Sequence, residues 1–191
     1  RCWMSRWMML LMLAACGDVE GPSGDVQDQE LITTVELGFT TGGVRSVFVW
    51  DGVDAGAPVV DDIELQAGTY ALDVSFLNQL EDPAEDLTAE VRDEGTLHQV
   101  FFTGSVVEGA APLWVVAYDD VDDNGLPVGL ENTAEVGLGD GEFTVTLRHM
   151  PLESGEAVKV DGLAEAVAQD GFEAIGGDTD VQVTFAVYVA E

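Results

Sequence analysis

Positive charge is the scarcest thing in this 191-residue chain, where 6 Lys and Arg face 37 Asp and Glu for a formal net charge of −31. The imbalance excludes a nucleic-acid binder, which needs a basic footprint to displace counterions. It equally excludes electrostatic attachment to anionic lipid head groups. The acids read as a solvated surface on an exported protein, suited to salty water in which like charges are screened. Cysteine is missing from the body of the chain, since Cys2 and Cys16 both lie near its start. Disulfides therefore take no part in the fold. The apolar run at 7–15, about nine residues, is far too short to cross a bilayer as a helix.

The usual instruments of catalysis are also missing. After Cys16 there is no cysteine nucleophile, no Ser in a G-x-S-x-G turn and no glycine-rich phosphate loop with a lysine. Acids are so numerous that no carboxylate pair stands out as general acid and base. A non-enzymatic role is the expectation. No fixed period indicates repeats, and strand–helix alternation is too sparse for a doubly wound parallel sheet.

What is present begins with an export signal. Arg6, with Arg1, precedes the apolar run, and Met4 is the expected initiator. The run ends Leu13-Ala14-Ala15-Cys16, which resembles a bacterial lipobox. That resemblance implies cleavage after residue 15, lipid on Cys16, and attachment of the protein to the bacterial cell envelope, the outer membrane being the expected one. Residues 17–30 are polar, turn-rich and aperiodic, as expected of a flexible tether. The expected organisation is a signal at 1–15, a tether at 16–30 and a folded domain at 31–191. With 47% hydrophobic residues the chain can furnish one sizeable core.

From residue 31 the apolar residues alternate with period two. Leu31, Thr33, Val35, Leu37 and Phe39 share one face, as do Val44, Ser46, Phe48 and Trp50, and then Tyr70, Leu72, Val74 and Phe76. A short strand is expected around Ile63 and Leu65, and others at 97–103, 112–118, 133–138 and 142–150. The clearest is 181–190, where Val181, Val183, Phe185, Val187 and Val189 alternate unbroken. Gly139-Asp140-Gly141 reads as a hairpin turn. Asp82 as N-cap, Pro83 at the first helical position and Glu85 two residues later predict a short covering helix that stops near Gly95. Residues 162–169 predict a second. The pattern gives an all-β fold: an antiparallel β-sandwich, immunoglobulin-like or similar, of about eight strands with one or two short helices. A closed barrel is the alternative.

Two motifs carry chemistry. Residues 120–131 fit the calcium-loop spacing D-x-[DN]-x-[DN]-G-x5-E. Asp120, Asp122 and Asn124 take the first, third and fifth positions, Gly125 the turn, Leu126 the seventh and Glu131 the twelfth. Alternate positions of a tight loop aim oxygens at one centre, as a hard cation with six to eight ligands requires. The flanks are strand-like and Pro127 lacks an N–H, so the expectation is a structural calcium clip between strands instead of a paired helical hand. The competing reading is a solvated Asp-Asn-Gly turn. The second motif is His98 and His149, the only histidines. Antiparallel neighbours can bring them together to hold a transition metal, haem iron or another small solute; hydrogen-bonded histidines at a core edge are the alternative. Trp50, Trp114 and Tyr70 are expected in the core, with an exposed Trp50 offering a carbohydrate face instead.

Several stretches together resemble a family of uncharacterised Gram-negative lipoproteins. They are Phe76-Leu77-Asn78 with Pro83-Ala84-Glu85-Asp86-Leu87-Thr88, His98-Gln99-Val100-Phe101-Phe102, the loop at 118–130, Leu147-Arg148-His149-Met150-Pro151, and Gly176-Gly177-Asp178-Thr179-Asp180. The resemblance covers most of 31–190 and implies an exported lipoprotein with no assigned activity. Members are often described as type 1 periplasmic binding folds, which implies an α/β architecture that the strand pattern here opposes. This chain departs from the family in its acidity and in Glu131, which completes the calcium spacing. The combined expectation is a membrane-anchored, calcium-stabilised binding or structural module with a protein or small-molecule partner, or else a ligand-capture protein working through His98 and His149.

Overall fold

A strand that alternates apolar and polar residues can bury only one face, and two such sheets cover each other. The computed structural model, which describes residues 31–191, is built this way. It is mostly β, 50% strand against 11% helix, as the strand pattern predicts. The signal, lipobox and tether lie outside the described residues.

The first sheet contains β1 (Thr34–Thr41), β2 (Val44–Asp51), β3 (Val59–Val60), β5 (Gly68–Asn78), β6 (Glu85–Asp86), β8 (Trp114–Tyr118) and β9 (Glu131–Val136). Its order is β3-β2-β1-β5-β9-β8, with the two-residue β6 beside the end of β5. The second contains β4 (Ile63–Gln66), β7 (His98–Thr103), β10 (Gly139–His149) and β11 (Asp178–Ala190), ordered β4-β11-β10-β7. All described pairings are antiparallel except β4 with β11. Between the sheets lies one core. Val35, Leu37, Phe39, Leu72, Val74 and Phe76 come from the first sheet, and Phe143, Val145, Leu147, Val183, Phe185 and Val187 from the second; all are buried. Trp114 is fully buried and packs on Phe39 and Phe143, at 5.9 and 5.1 Å between ring centroids, so it joins the two layers.

Among the described residues the sandwich has eleven strands where about eight are expected, and five pairs of strands adjacent in sequence fall in different sheets. β4 and β5 fall in different sheets, as do β9 and β10, so Gly139-Asp140-Gly141 belongs to β10 and closes no hairpin. The connection at Gly137 crosses between layers, fixed by its N–H to the Leu113 carbonyl at 2.9 Å.

The first helix starts later than its capping pattern predicts. Glu85 and Asp86 are drawn into pairing with Asn78 and Leu77, and the Leu87 N–H bonds the Phe76 carbonyl, so α1 spans only Thr88–Asp93. Its Leu87 and Val91 are buried as their spacing requires. The second helix, α2 (Leu163–Asp170), covers the outer face of the second sheet, where Leu163 and Val167 pack with Phe101 and Met150.

Phe143 stacks on Phe102 at 5.6 Å, with planes 7° apart, and touches Trp114. Phe143→Ala is expected to lower stability by about 3–5 kcal/mol in urea unfolding. Val44→Ala, on a side chain 69% exposed, should change it by no more than about 0.5 kcal/mol.

Candidate functional site

The registers assign each feature to one of two ends of the sandwich. β1 runs from Thr34, opposite Leu77, to Thr40, opposite Ala71, while β10 runs from Gly139, opposite Val189, to His149, opposite His98. One end therefore holds the start of β1, α1, the 120–131 loop and both histidines. The other holds the β1–β2 turn, the start of β10 and the end of β11.

At the first end the acidic loop is closed by the chain's own donors. Asp120 accepts the Gly129 N–H on Oδ1 at 2.7 Å and the Leu130 N–H on Oδ2 at 2.9 Å. Asp122 Oδ1 accepts the N–H groups of Asn124 and Leu126, at 2.8 and 2.9 Å, and its own N–H bonds the Leu126 carbonyl at 2.8 Å. Gly125 turns the chain at φ 78°, a conformation that costs glycine little, and Val121 bridges Pro127. Glu131 points elsewhere, to Arg92 at 3.1 Å on the surface. Asp122 Oδ2 lies 2.9 Å from Lys159 Nζ, with both side chains only 1% exposed, and the same ammonium donates to the Gly95 carbonyl at 2.7 Å.

Several of the oxygens that a calcium shell would use already have partners within the chain. The Leu126 carbonyl faces an N–H, Glu131 faces a guanidinium, and an ammonium stands against Asp122. Among the described residues no group of three or more His, Cys, Asp or Glu is placed to hold a metal ion. Burial alone would push the Asp122 carboxyl up. The Lys159 ammonium and two N–H donors outweigh burial and hold it below the ordinary value. Burial pulls the Lys159 ammonium down, against the opposing pull of Asp122.

The histidines do meet. Their rings stack with centroids 4.7 Å apart and planes 17° from parallel. Imidazole lone pairs lie in the ring plane, so stacked rings direct them in parallel layers and not at one centre, which fits poorly with a shared metal or haem iron. His98 is 1% exposed, with Nδ1 3.4 Å from the Glu94 carbonyl and Nε2 3.8 Å from Asp180 Oδ2. Burial, then His149, lowers the His98 pKa to about 4. Asp180, its side chain 3% exposed, is raised to about 6 by burial, reinforced by Asp178 against the opposing pull of His149 and Arg148.

Sequence reasoning passed over Asp180 and Lys159. A signal for Lys159 existed: it is the chain's single lysine, flanked by Val158 and Val160, where an isolated cation in a valine run is hard to leave unpaired.

At the other end the sheets part around a cleft of about 510 Å³, within the size range of small-ligand sites. Phe39, Leu65, Tyr70 and Val189 form its buried apolar floor, and Tyr188 stands 47% exposed beside it. Glu64 and Asp140 lie on its rim, and its lining contains no basic residue. The Tyr70 hydroxyl is occupied, donating to the Gln66 carbonyl at 2.8 Å. Trp50 does not offer the carbohydrate face, because it is half-buried against the core and folded over Gly52.

The buried titrating pair makes stability respond to pH in opposite senses. The folded pKa of Asp180 lies above its ordinary value, so its contribution is full below about pH 4 and is lost as pH rises through about 6. The folded pKa of His98 lies below its ordinary value, so its contribution is lost as pH falls from about 6.5 towards 4. Asp180→Asn should therefore stabilise the protein at pH 8, by on the order of 2–3 kcal/mol, and the gain over wild type should vanish by pH 4 in urea titrations. A gain independent of pH would show that the Asp180 charge is not the cause.

Compared with known proteins, the chain matches no family model, no curated protein and no solved structure.

Proposed function

We propose that this chain is an exported, lipid-anchored binding module without catalytic activity, and that the cleft between the sheet ends is where it binds. One observation carries the reading: the cleft opens at the end of the sandwich opposite Thr34. A domain tethered through residues 17–30 to lipid on Cys16 presents that end away from the membrane. The resemblance to exported lipoproteins and the lipobox-like Leu13-Ala14-Ala15-Cys16 support the anchor. The stacked histidines, with His98 buried, sit at the membrane-facing end and are poorly placed for capture.

The lining gives the chemical class of the ligand. An apolar and aromatic floor takes a hydrocarbon or aromatic body, and two rim carboxylates in a lining without a basic residue take a positive head. The ligand is a small amphipathic cation.

A matched series tests this. Hexylammonium, hexanol and hexanoate are titrated against the protein by calorimetry and by the NMR shifts of Tyr188. Hexylammonium should bind tightest and hexanoate not at all. Glu64→Gln or Asp140→Asn should each weaken hexylammonium by about fivefold, the scale of an exposed charge pair, while Glu90→Gln on α1 should have no effect. Equal binding of all three, or equal loss in the Glu90 variant, would mean that the bulk charge attracts the ligand and the cleft does not. For the anchor, Cys16→Ser should move the protein from the membrane fraction to the soluble fraction; continued membrane retention would overturn it.

A further inference from the structure

We infer that Lys159 is the resident cation of the acidic loop: its ammonium takes the Asp122 oxygen that the loop's own N–H groups leave free, so the fold closes without calcium. The loop is not merely a cluster of acids. It already holds a bound cation, at 2.9 Å from Asp122 Oδ2, and the seat is built around it. The Gly95 carbonyl supplies a second oxygen at 2.7 Å, and both charged side chains are closed off from solvent. An ammonium and a calcium ion cannot share Asp122 Oδ2 at these distances, since two cations in a dry site repel strongly. The remaining oxygens of Asp120 and Asp122 are satisfied by N–H groups of the loop itself.

The arrangement suits a chain with one lysine and a formal charge of −31. A free ion leaves when it is diluted or chelated, whereas a side chain does not. The lysine also gathers three segments that are distant in sequence: the β8–β9 loop, the residues after α1 and the stretch between β10 and α2. Lys159→Met keeps the length of the side chain and removes its charge, leaving Asp122 buried and uncompensated. That is the costly way to break a buried pair.

Thermal unfolding of the full protein with 5 mM calcium or with chelator decides the matter. Wild type should melt at the same temperature in both. Lys159→Met should melt roughly 10 °C lower than wild type, with calcium and with chelator alike. The double variant Asp122→Asn, Lys159→Met should be more stable than Lys159→Met in chelator and indifferent to calcium. If Lys159→Met does not fold in chelator, the wild-type comparison still decides. A rise of several degrees with calcium in the wild type would overturn the inference, as would a Lys159→Met protein as stable as wild type. A Lys159→Met protein restored by calcium would likewise overturn it, because the loop would then furnish a divalent shell of its own.

Discussion

In the described residues, Arg45, Arg92, Arg148 and Lys159 are the whole supply of permanent positive charge, and the acidic body is arranged around them. Arg45 reaches from β2 across β1 to Asp73 on β5, at 3.2 and 2.5 Å. It can do so because the residue between is Gly38, where a Cβ would fall 2.3 Å from the guanidinium. Arg92 ties α1 to the start of β9 through Glu131. Arg148 donates to the Thr179 hydroxyl and to the carbonyls of Gly176 and Gly177 while lying over Phe172, and so fixes the approach to β11. Lys159 closes the acidic loop. The exposed pairs contribute little stability individually, but each spans elements distant in sequence. They set which segments lie together where repulsion would otherwise drive them apart.

The two ends of the sandwich consequently differ in kind. At the end where the chain enters, polar and charged groups are buried together: Asp122 is paired with Lys159, and His98 stacks on His149 beside Asp180. Such groups define one arrangement, because any other leaves a charge without a partner. At the far end the groups around the cleft are less completely engaged, with Tyr188 and Val44 exposed and Glu64 and Asp140 on the rim. Phe39 links cleft and core, since it forms the cleft floor and packs edge-on against Tyr70, Phe48 and Trp114. Occupancy of the cleft therefore bears on a residue at the centre of the aromatic packing.

Local pattern made the strands legible and left their partners obscure. The alternation in β11 and β5 is read directly from residues two apart, and the burial of Leu87 and Val91 from their helical spacing. The pairing of β4 with β11 joins residues more than a hundred positions apart, and nothing in Ile63 to Gln66 announces it. The start of α1 was misplaced because a capping pattern is local, while the β5 edge that claimed Glu85 and Asp86 is not. The same limit governs the loop. Its spacing counts oxygens within twelve residues, whereas the ammonium that meets Asp122 comes from position 159. The histidines were legible as possible neighbours, though stacking depends on side-chain direction that register alone does not specify. The cleft had no signal, because its floor draws single residues from strands that each read as ordinary.

Among the described residues the longest strand is β11. Thirteen residues long, it lies between β4 and β10 in the second sheet. Until residues 178–190 are in place, β4 lacks its neighbour in that sheet, and the first sheet lacks the cover of Val181, Val183, Phe185, Val187 and Val189. Strand pairs this distant in sequence form late, because the intervening chain must first be closed into a loop. The sandwich therefore stays open until β11 is in place, and a chain in that condition can pass unfolded through a narrow channel.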